Sequence, residues 1–222
     1  MQHTWLQKCM SKEFAWWLCG TTVVTSATLF SGEGAIPLIA ALTGVWYVVF
    51  AGQGRRIAFL PGAVNILLYA YLSWQAAYYG EVMLQLLYYF PMNIVGWFLW
   101  KRYLNAETGR IVKRRLHPRW HVYLLGAVAL AIVVFGCVLQ WMGGKRVWLD
   151  STTTILSIVA QALTIGRYAE QWLLWTVINA VSVILWFGTD ISAIVTSVMW
   201  GFYLCYGIAM AIQWHRETAN VS

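Results

Sequence analysis

The chain has 222 residues, of which 60% are hydrophobic and only 10% are charged, and its formal net charge is +7. A soluble domain carries about 25% charged residues, so these proportions exclude an ordinary soluble fold and indicate a membrane protein. The positive charge does not require nucleic acid as a partner, because cytoplasmic loops of membrane proteins are rich in lysine and arginine.

Eight stretches of the chain contain no charged residue, and a helix that spans a bilayer needs about 20 apolar residues. In chain order the stretches are 14–32, 34–54, 57–80, 82–100, 122–144, 151–166, 171–189 and 191–214. The sixth reaches a workable length only if its helix begins near Val147. The longest connection is too short to fold alone, so we predict an all-α polytopic membrane protein of about eight transmembrane helices.

Two interpretations fit the first stretch, a cleaved signal peptide and a retained helix. The segment before it is only weakly basic, and no clean cleavage site of small residues follows it. We therefore favour a retained N-terminal helix.

The basic residues predict the orientation in the membrane. With eight spans and both termini in the cytoplasm, 13 of the 15 lysines and arginines lie inside, and only Lys145 and Arg146 lie outside. The opposite orientation would place the basic segment Lys101–Arg119 outside, against the positive-inside rule. Tryptophans are typical of membrane interfaces. Those that fit such anchors are Trp5, Trp120, Trp141, Trp148 and Trp214.

Two registers of an internal repeat compete. A shift of 114 residues aligns Asn65 with Asn179, Tyr89 with Tyr203 and Trp100 with Trp214, and a two-residue slip aligns Gly54-Arg55 with Gly166-Arg167. This register aligns the third helix with the seventh and the fourth with the eighth. Because the displacement is an even number of helices, both copies have the same orientation in the membrane. It therefore predicts two parallel sets of three helices joined by a linker helix, 122–144.

The competing shift is 86 residues. It aligns Gln75 with Gln161, Gln85 with Gln171 and Asn93 with Asn179. It displaces the helices by three, an odd number, so the two copies would have opposite orientations in the membrane and form an inverted repeat. We favour the 114-residue register because it also aligns the two arginine turns.

The stretches contain no residues with catalytic or metal-binding spacing. The four histidines lie in tails or loops, the four cysteines show no CxxC spacing, and no carboxylate lies where it could act as an acid or base. We predict no enzymatic activity, no cofactor and no metal. Proton coupling needs a titrating group inside the pathway, so a passive uniporter is the simplest mechanism, with sodium coupling left open.

Uncharged polar side chains are the remaining groups that could carry function. The amides that we expect to be buried within the stretches are Asn65, Gln75, Gln85, Asn93, Gln161 and Asn179. An unpaired amide in hydrocarbon costs several kcal/mol, so each must face other helices or a wet cavity. Contacts between helices explain any single amide, but the cluster favours a solute site.

The fourth stretch has the richest polar face. Gln85, Tyr89 and Asn93 recur at a spacing of four and share one side of a helix. Pro91 removes a backbone hydrogen bond in mid-membrane and should kink the helix. Trp175 lies inside a span, and an aromatic wall beside amides suits a flat, ring-bearing solute or a delocalised cation.

Three motifs together resemble the PnuC family of nicotinamide riboside transporters. They are Gln85-x3-Tyr89-x3-Asn93-x2-Gly96-Trp97-x2-Trp100, Asp150-x-Thr152-Thr153 leading to Ala160-Gln161-x-Leu163, and Arg167-x2-Glu170-x-Trp172-x2-Trp175-x3-Asn179. The likeness runs from about residue 35 to 215, and the third motif is the most specific.

The resemblance implies uptake of nicotinamide riboside, a precursor of NAD, across the bacterial inner membrane by facilitated diffusion. A cytoplasmic kinase would trap the riboside by phosphorylation. The fold would be similar to that of SWEET-type sugar transporters, in agreement with the 114-residue register. The segments it implies are an N-terminal tail and extra helix (1–34), a first three-helix bundle (35–104), a basic loop and linker helix (105–146), a second bundle (147–214) and a tail (215–222).

On this basis we predict a site that stacks the pyridinium ring on aromatic side chains and pairs its carboxamide and ribose with amides. The predicted substrate-binding residues are Asn65, Gln85, Tyr88, Tyr89, Asn93, Gln161, Trp172, Trp175 and Asn179. Partners would be the riboside, membrane lipid and, functionally, the kinase. Transport of another ring-bearing vitamin or nucleoside, such as thiamine, and a structural role in a membrane complex are the alternatives. A homo-oligomer stays open.

Overall fold

Eight helices make up most of the chain in the computed structural model, which describes residues 2–32, 34–75, 82–143, 147–186 and 193–219. The helices are α1 (Gln2–Ser31), α2 (Ala35–Gly52), α3 (Phe59–Gln75), α4 (82–102), α5 (Pro118–Trp141), α6 (Val147–Ile165), α7 (Gln171–Trp186) and α8 (Ala193–Ala219). Each of the eight predicted stretches therefore contains one helix.

Three of the described helical segments are both long and apolar enough to cross a membrane. They are Ala35–Gly52, Pro118–Trp141 and Arg56–Gln75, the last of which joins α3 to the 3-10 turn before it. The sixth helix begins at Val147, which confirms the start predicted from the length that a membrane-spanning helix needs. The predicted ends 76–80 and 187–189, together with Lys145 and Arg146, lie outside the described residues.

Six of the helices form a closed ring. Around it, α2 contacts α3, α3 contacts α4, α4 contacts α6, α6 contacts α7, α7 contacts α8, and α8 returns to α2. The first helix packs outside the ring on α2 and α8, and α5 packs outside on α6. The order confirms the predicted arrangement of an extra helix, three helices, a linker and three more helices.

A matched pair of hydrogen bonds joins the two halves of the ring. The Trp100 indole on α4 donates from Nε1 to the Ile165 carbonyl at the end of α6, over 3.2 Å. The Trp214 indole on α8 donates to the Gly52 carbonyl at the end of α2, over 2.7 Å. Both tryptophans are fully buried. The expectation that Trp214 is an interfacial anchor is therefore wrong, whereas Trp120, Trp141 and Trp148 are exposed.

The turns after α2 and α6 have the same backbone conformation, but the residues that correspond are offset by one from those in the sequence alignment. Gly54 and Arg167 both have a positive φ, 70° and 64°. The next residue donates back five positions in each turn, from Arg55 to Phe50 and from Tyr168 to Leu163. Gly54 thus corresponds to Arg167 and not to Gly166, because an arginine adopts the left-handed conformation that glycine takes in the first turn.

The connection between α4 and α5, residues 103–117, lies across both turns, and we call it the basic loop. The Ile111 amide donates to the Gly54 carbonyl over 2.9 Å, and the Arg114 amide donates to the Arg167 carbonyl over 3.1 Å. The Arg167 guanidinium donates to the Val112 carbonyl over 2.7 Å, which compensates for strain in its own backbone. The basic loop therefore holds the two bundles together at one end, which we call the basic end.

Charged side chains reinforce this end. Arg110 pairs with Glu13 of α1 at 2.8 Å, and Lys113 pairs with Glu217 of α8 at 2.6 Å. Burial lowers the pKa of the Lys113 amine, although the neighbouring Glu217 carboxylate opposes that shift. The buried Glu170 carboxylate accepts the Leu116 amide at 3.1 Å and lies 3.3 Å from the His121 ring. The basic loop is thus tied to α1 and α8 as well as to the two turns, the second of which includes Glu170.

Aromatic rings fill the ring of helices at the basic end. Phe59 meets Trp100 edge-on with centroids 4.9 Å apart, and Trp172 contacts both Tyr206 and Trp214 at 5.9 Å. All five side chains are buried. This layer closes the basic end to any solute of nucleoside size.

Substitution of Gly96 tests the close packing of α4 on α3. A Cβ atom at Gly96 would overlap the Phe59 ring, whereas one at Gly126 on α5 meets nothing within 4 Å. We expect Gly96→Ala to reduce the free energy of unfolding by about 1–3 kcal/mol, a typical cost of overpacking. The thermal unfolding midpoint in detergent measures it, with Gly126→Ala as the control. Equal midpoints for the two variants would contradict the packing described.

Candidate functional site

The ring encloses a central cavity of about 730 Å³. Side chains from all six ring helices line it, and the aromatic layer closes its basic end. Its size is typical of a pocket for a small organic molecule, since such pockets measure about 300–1,000 Å³. Small-molecule binding is therefore the function that the interior allows.

Most of the predicted site residues meet in this cavity. Those that line it are Asn65, Gln85, Tyr89, Asn93, Gln161, Trp172, Trp175 and Asn179. Tyr88 is not part of the lining, and its hydroxyl instead donates to the Ile158 carbonyl of α6 over 2.6 Å. Tyr88 therefore joins α4 to α6, while its neighbour Tyr89 faces inward.

One amide that the sequence placed in the interior lies elsewhere. Gln75 is exposed at the end of α3 and donates to the Tyr71 hydroxyl over 2.7 Å. The expectation that it is buried is wrong, because Gln75 shares the exposed face of α3 with Tyr71, four residues earlier, and not the buried face.

The inward face of α4 depends on an unusual backbone. Leu84–Tyr89 is π-helical and is followed by the α-helix Phe90–Arg102, whose second residue is Pro91. Proline lacks the N–H that an α-helix needs and clashes with the carbonyl four residues earlier, and a wider turn relieves both problems. The proline thus changes the helix type just before itself. Gln85 and Asn93 remain buried on the cavity side.

Several hydrogen-bond donors in the lining have no acceptor among the described residues. They are Asn93 Nδ2, Gln171 Nε2, Trp172 Nε1 and Trp200 Nε1. Buried N–H groups are normally paired, because an unpaired one costs about 1–3 kcal/mol. Oxygen acceptors on a solute, such as a carboxamide or sugar hydroxyl groups, are the kind of partner that these donors need.

The two tryptophans predicted for the site have different environments. Trp172 is buried and its ring meets both Tyr206 and Trp214 at steep interplanar angles, so little of it is accessible from the cavity. Trp175 is half-buried, and its Nε1 donates to the Thr164 hydroxyl over 3.1 Å. Trp175 can therefore offer a ring face, which attracts a cationic ring by about 2 kcal/mol or more once water is removed.

Charge is absent from the described lining. None of the residues that line the cavity in the described ranges is Asp, Glu, Lys, Arg or His. Within the same ranges no three histidine, cysteine or acidic side chains come together to hold a metal ion. Binding in this cavity must rely on aromatic faces, amides and hydroxyl groups.

Some lining residues were not identified from the sequence as site residues. Tyr47 on α2, Thr164 on α6 and Trp200 on α8 all face the cavity. The Tyr47 hydroxyl donates to the side-chain amide oxygen of Gln161, Oε1, over 3.5 Å, which links α2 to α6. Thr164 continues the polar face of α6 that carries Ser157 and Gln161, so helical spacing could have identified it. Tyr47 gave no such signal, because the other lining residues of α2 are apolar.

A ring of helices around an uncharged cavity, closed at one end by interlocked tryptophans, defines a membrane transporter for a small solute. Comparison with known proteins shows the family to which it belongs. The chain belongs to the family described as nicotinamide mononucleotide transporter, whose model matches residues 34–216.

Named relatives cover most of the chain. It is 33% identical to the nicotinamide riboside transporter PnuC of Neisseria mucosa, over 92% of this chain and 81% of the relative. It is 30% identical to the PnuC of Haemophilus influenzae, over 76% and 77% of the two chains. A crystal structure of the vitamin B3 transporter PnuC matches with a TM-score of 0.80 and 30% identity, over 95% of this chain and 93% of that one. The protein is accordingly an integral membrane transporter.

Proposed function

We propose that this protein carries nicotinamide riboside across the bacterial inner membrane by facilitated diffusion. The curated relatives are named as transporters of this solute, and the observation that supports it most directly is the uncharged cavity beside Trp175. Nicotinamide riboside has a cationic pyridinium ring, a carboxamide and a ribose. The ring stacks on Trp175, and the oxygen atoms accept from Asn93 and Gln171.

The cavity favours the riboside over the mononucleotide in the family's description. Phosphorylation adds about 1.5 to 2 negative charges at neutral pH, and proteins bind phosphate with arginine, lysine or helix N-termini. No lysine or arginine is among the described lining residues. A cytoplasmic kinase that phosphorylates the riboside would therefore trap it inside the cell.

Both termini and the basic loop lie in the cytoplasm in this proposal. The loop carries Arg110, Lys113, Arg114 and Arg115, and positive charge of this density is typical of the inner side of a membrane. The aromatic layer and the paired indoles then close the cytoplasmic end. Release of solute requires the bundles 35–104 and 147–214 to move apart there, which breaks the bonds of Trp100 and Trp214.

Transport should not depend on an ion gradient, because no described lining residue can carry a proton through the cavity. Purified protein in liposomes should exchange labelled nicotinamide riboside at an unchanged rate after ionophores collapse the proton and sodium gradients. Labelled nicotinamide mononucleotide should exchange far more slowly. Accumulation of free riboside above its external concentration would show that the transport is not passive.

Trp175 should contribute more to binding than a tryptophan outside the ring. Trp120 is exposed on α5 and is a matched control. Loss of a stacked aromatic ring should weaken binding about tenfold to a hundredfold in Trp175→Ala, while Trp120→Ala stays near wild type. Isothermal titration of nicotinamide riboside measures both, with thiamine as a competitor. Equal losses in the two variants, or tighter binding of thiamine, would argue against the proposed site or its specificity.

The orientation can be tested with one cysteine. Thr108 is exposed in the basic loop, and a Thr108→Cys change in a chain whose native cysteines are replaced provides a reactive group there. An impermeant maleimide should label it only after the inner membrane of spheroplasts is opened. Labelling of intact spheroplasts would reverse the proposed orientation.

A further inference from the structure

We propose that Thr164 positions the Trp175 ring for the solute, a role that rests on the proposed function. Thr164 lies in the last turn of α6 with 2% of its surface exposed, and it faces the cavity. None of the sequence motifs contains it. Its importance follows from three hydrogen bonds that converge on it.

The Thr164 hydroxyl can bind the indole in only one way. Its single proton is donated to the Ala160 carbonyl over 2.8 Å, within the same helix. The oxygen lone pairs are therefore free to accept, and Trp175 Nε1 donates to them over 3.1 Å. A tryptophan side chain has two torsion angles, so one fixed N–H and a packed backbone set the plane of the ring.

This bond also determines what Trp175 can offer a solute. With its N–H used by Thr164, the indole has no donor left for a carboxamide or a hydroxyl. Its contribution is the ring face, which is the part that binds a cationic ring. In this proposal Trp175 therefore contacts the cationic ring of the solute, while the unpaired donors of Asn93 and Gln171 bind its oxygen atoms.

The repeat shows that the pair is not part of the common frame. In the register of the two turns, in which Gly54 corresponds to Arg167, Thr164 corresponds to Ala51. In the 114-residue register, Trp175 corresponds to Pro61. The first half of the ring therefore lacks both the hydroxyl and the indole, although it keeps the Trp100 that matches Trp214. Because the Thr164–Trp175 pair occurs in one half of the repeat alone, we infer that it binds the asymmetric solute and is not needed to build the ring of helices.

Thr164 also contacts Trp100, one of the tryptophans that close the proposed cytoplasmic end. Its backbone carbonyl accepts Trp100 Nε1 over 3.3 Å, beside the Ile165 carbonyl at 3.2 Å. One residue thus receives an indole from each bundle, Trp100 from α4 and Trp175 from α7. When the bundles separate, the hydroxyl bond keeps the Trp175 ring attached to α6 and the solute moves with the second bundle.

The test compares variants that differ only in the acceptor. Thr164→Val keeps the shape and removes the hydroxyl, and loss of one positioning hydrogen bond should weaken binding of nicotinamide riboside about tenfold. Thr164→Ser restores the acceptor and should bind within about twofold of wild type. Thr43→Val is the control, since Thr43 is also buried and donates to the Ile39 carbonyl, but no indole of the described residues donates to it. If the valine variant does not fold, Thr164→Ala makes the same comparison.

A double-mutant cycle separates positioning from general loss of packing. In a Trp175→Phe background no N–H remains to be held, so Thr164→Val should cause no further loss of affinity. In transport assays Thr164→Val should raise KM more than it lowers the maximal rate. Additive effects in the cycle, or a serine variant as weak as the valine one, would overturn the positioning role.

The outcomes for the two proposals are distinct. Failure of the wild-type protein to bind nicotinamide riboside would overturn the proposed function. Normal binding by the wild type together with unchanged affinity in Thr164→Val would overturn only the role of Thr164.

Discussion

The structure depends on how the ends of two helices are satisfied inside a membrane. The last carbonyls of an α-helix have no partner of their own, and hydrocarbon provides none. Here the Gly52 and Ile165 carbonyls, at the ends of α2 and α6, each accept an indole N–H from the opposite bundle. The bonds form only when the bundles meet, so these carbonyls are paired in the state in which the basic end is closed.

The basic loop depends on the same two helix ends. It donates backbone N–H groups to the residues that reverse the chain after α2 and α6, Gly54 and Arg167. Arg167 takes a left-handed conformation that glycine takes in the first half, and its guanidinium both bonds the loop and stacks on Tyr103 at 3.5 Å. Arg167, whose charge also fits the predicted orientation in the membrane, therefore joins the two bundles.

A symmetric frame thus encloses an asymmetric site. Trp100 and Trp214 repeat across the ring, as do Asn65 and Asn179. Yet Asn65 Nδ2 donates to the Ala40 carbonyl over 2.7 Å and so connects α2 to α3. The bond from the Trp175 indole to the Thr164 hydroxyl has no counterpart in the first half, where Ala51 and Pro61 occupy the corresponding positions. Transport between two bundles requires the frame to repeat, whereas recognition of a solute with one cationic ring and one sugar requires that the site does not.

The sequence by itself determined the number of helices, the parallel repeat, the uncharged interior and eight of the residues that line the cavity, since length, charge and helical spacing are local properties of a chain. Only the tertiary structure decided which of two adjacent tyrosines faces inward, that Gln75 is exposed, and that Trp214 is buried. It also divided the roles of Trp172 and Trp175 and brought Thr164 to the latter's N–H. Spacing defines a face of a helix, but what covers that face depends on neighbouring helices distant in sequence.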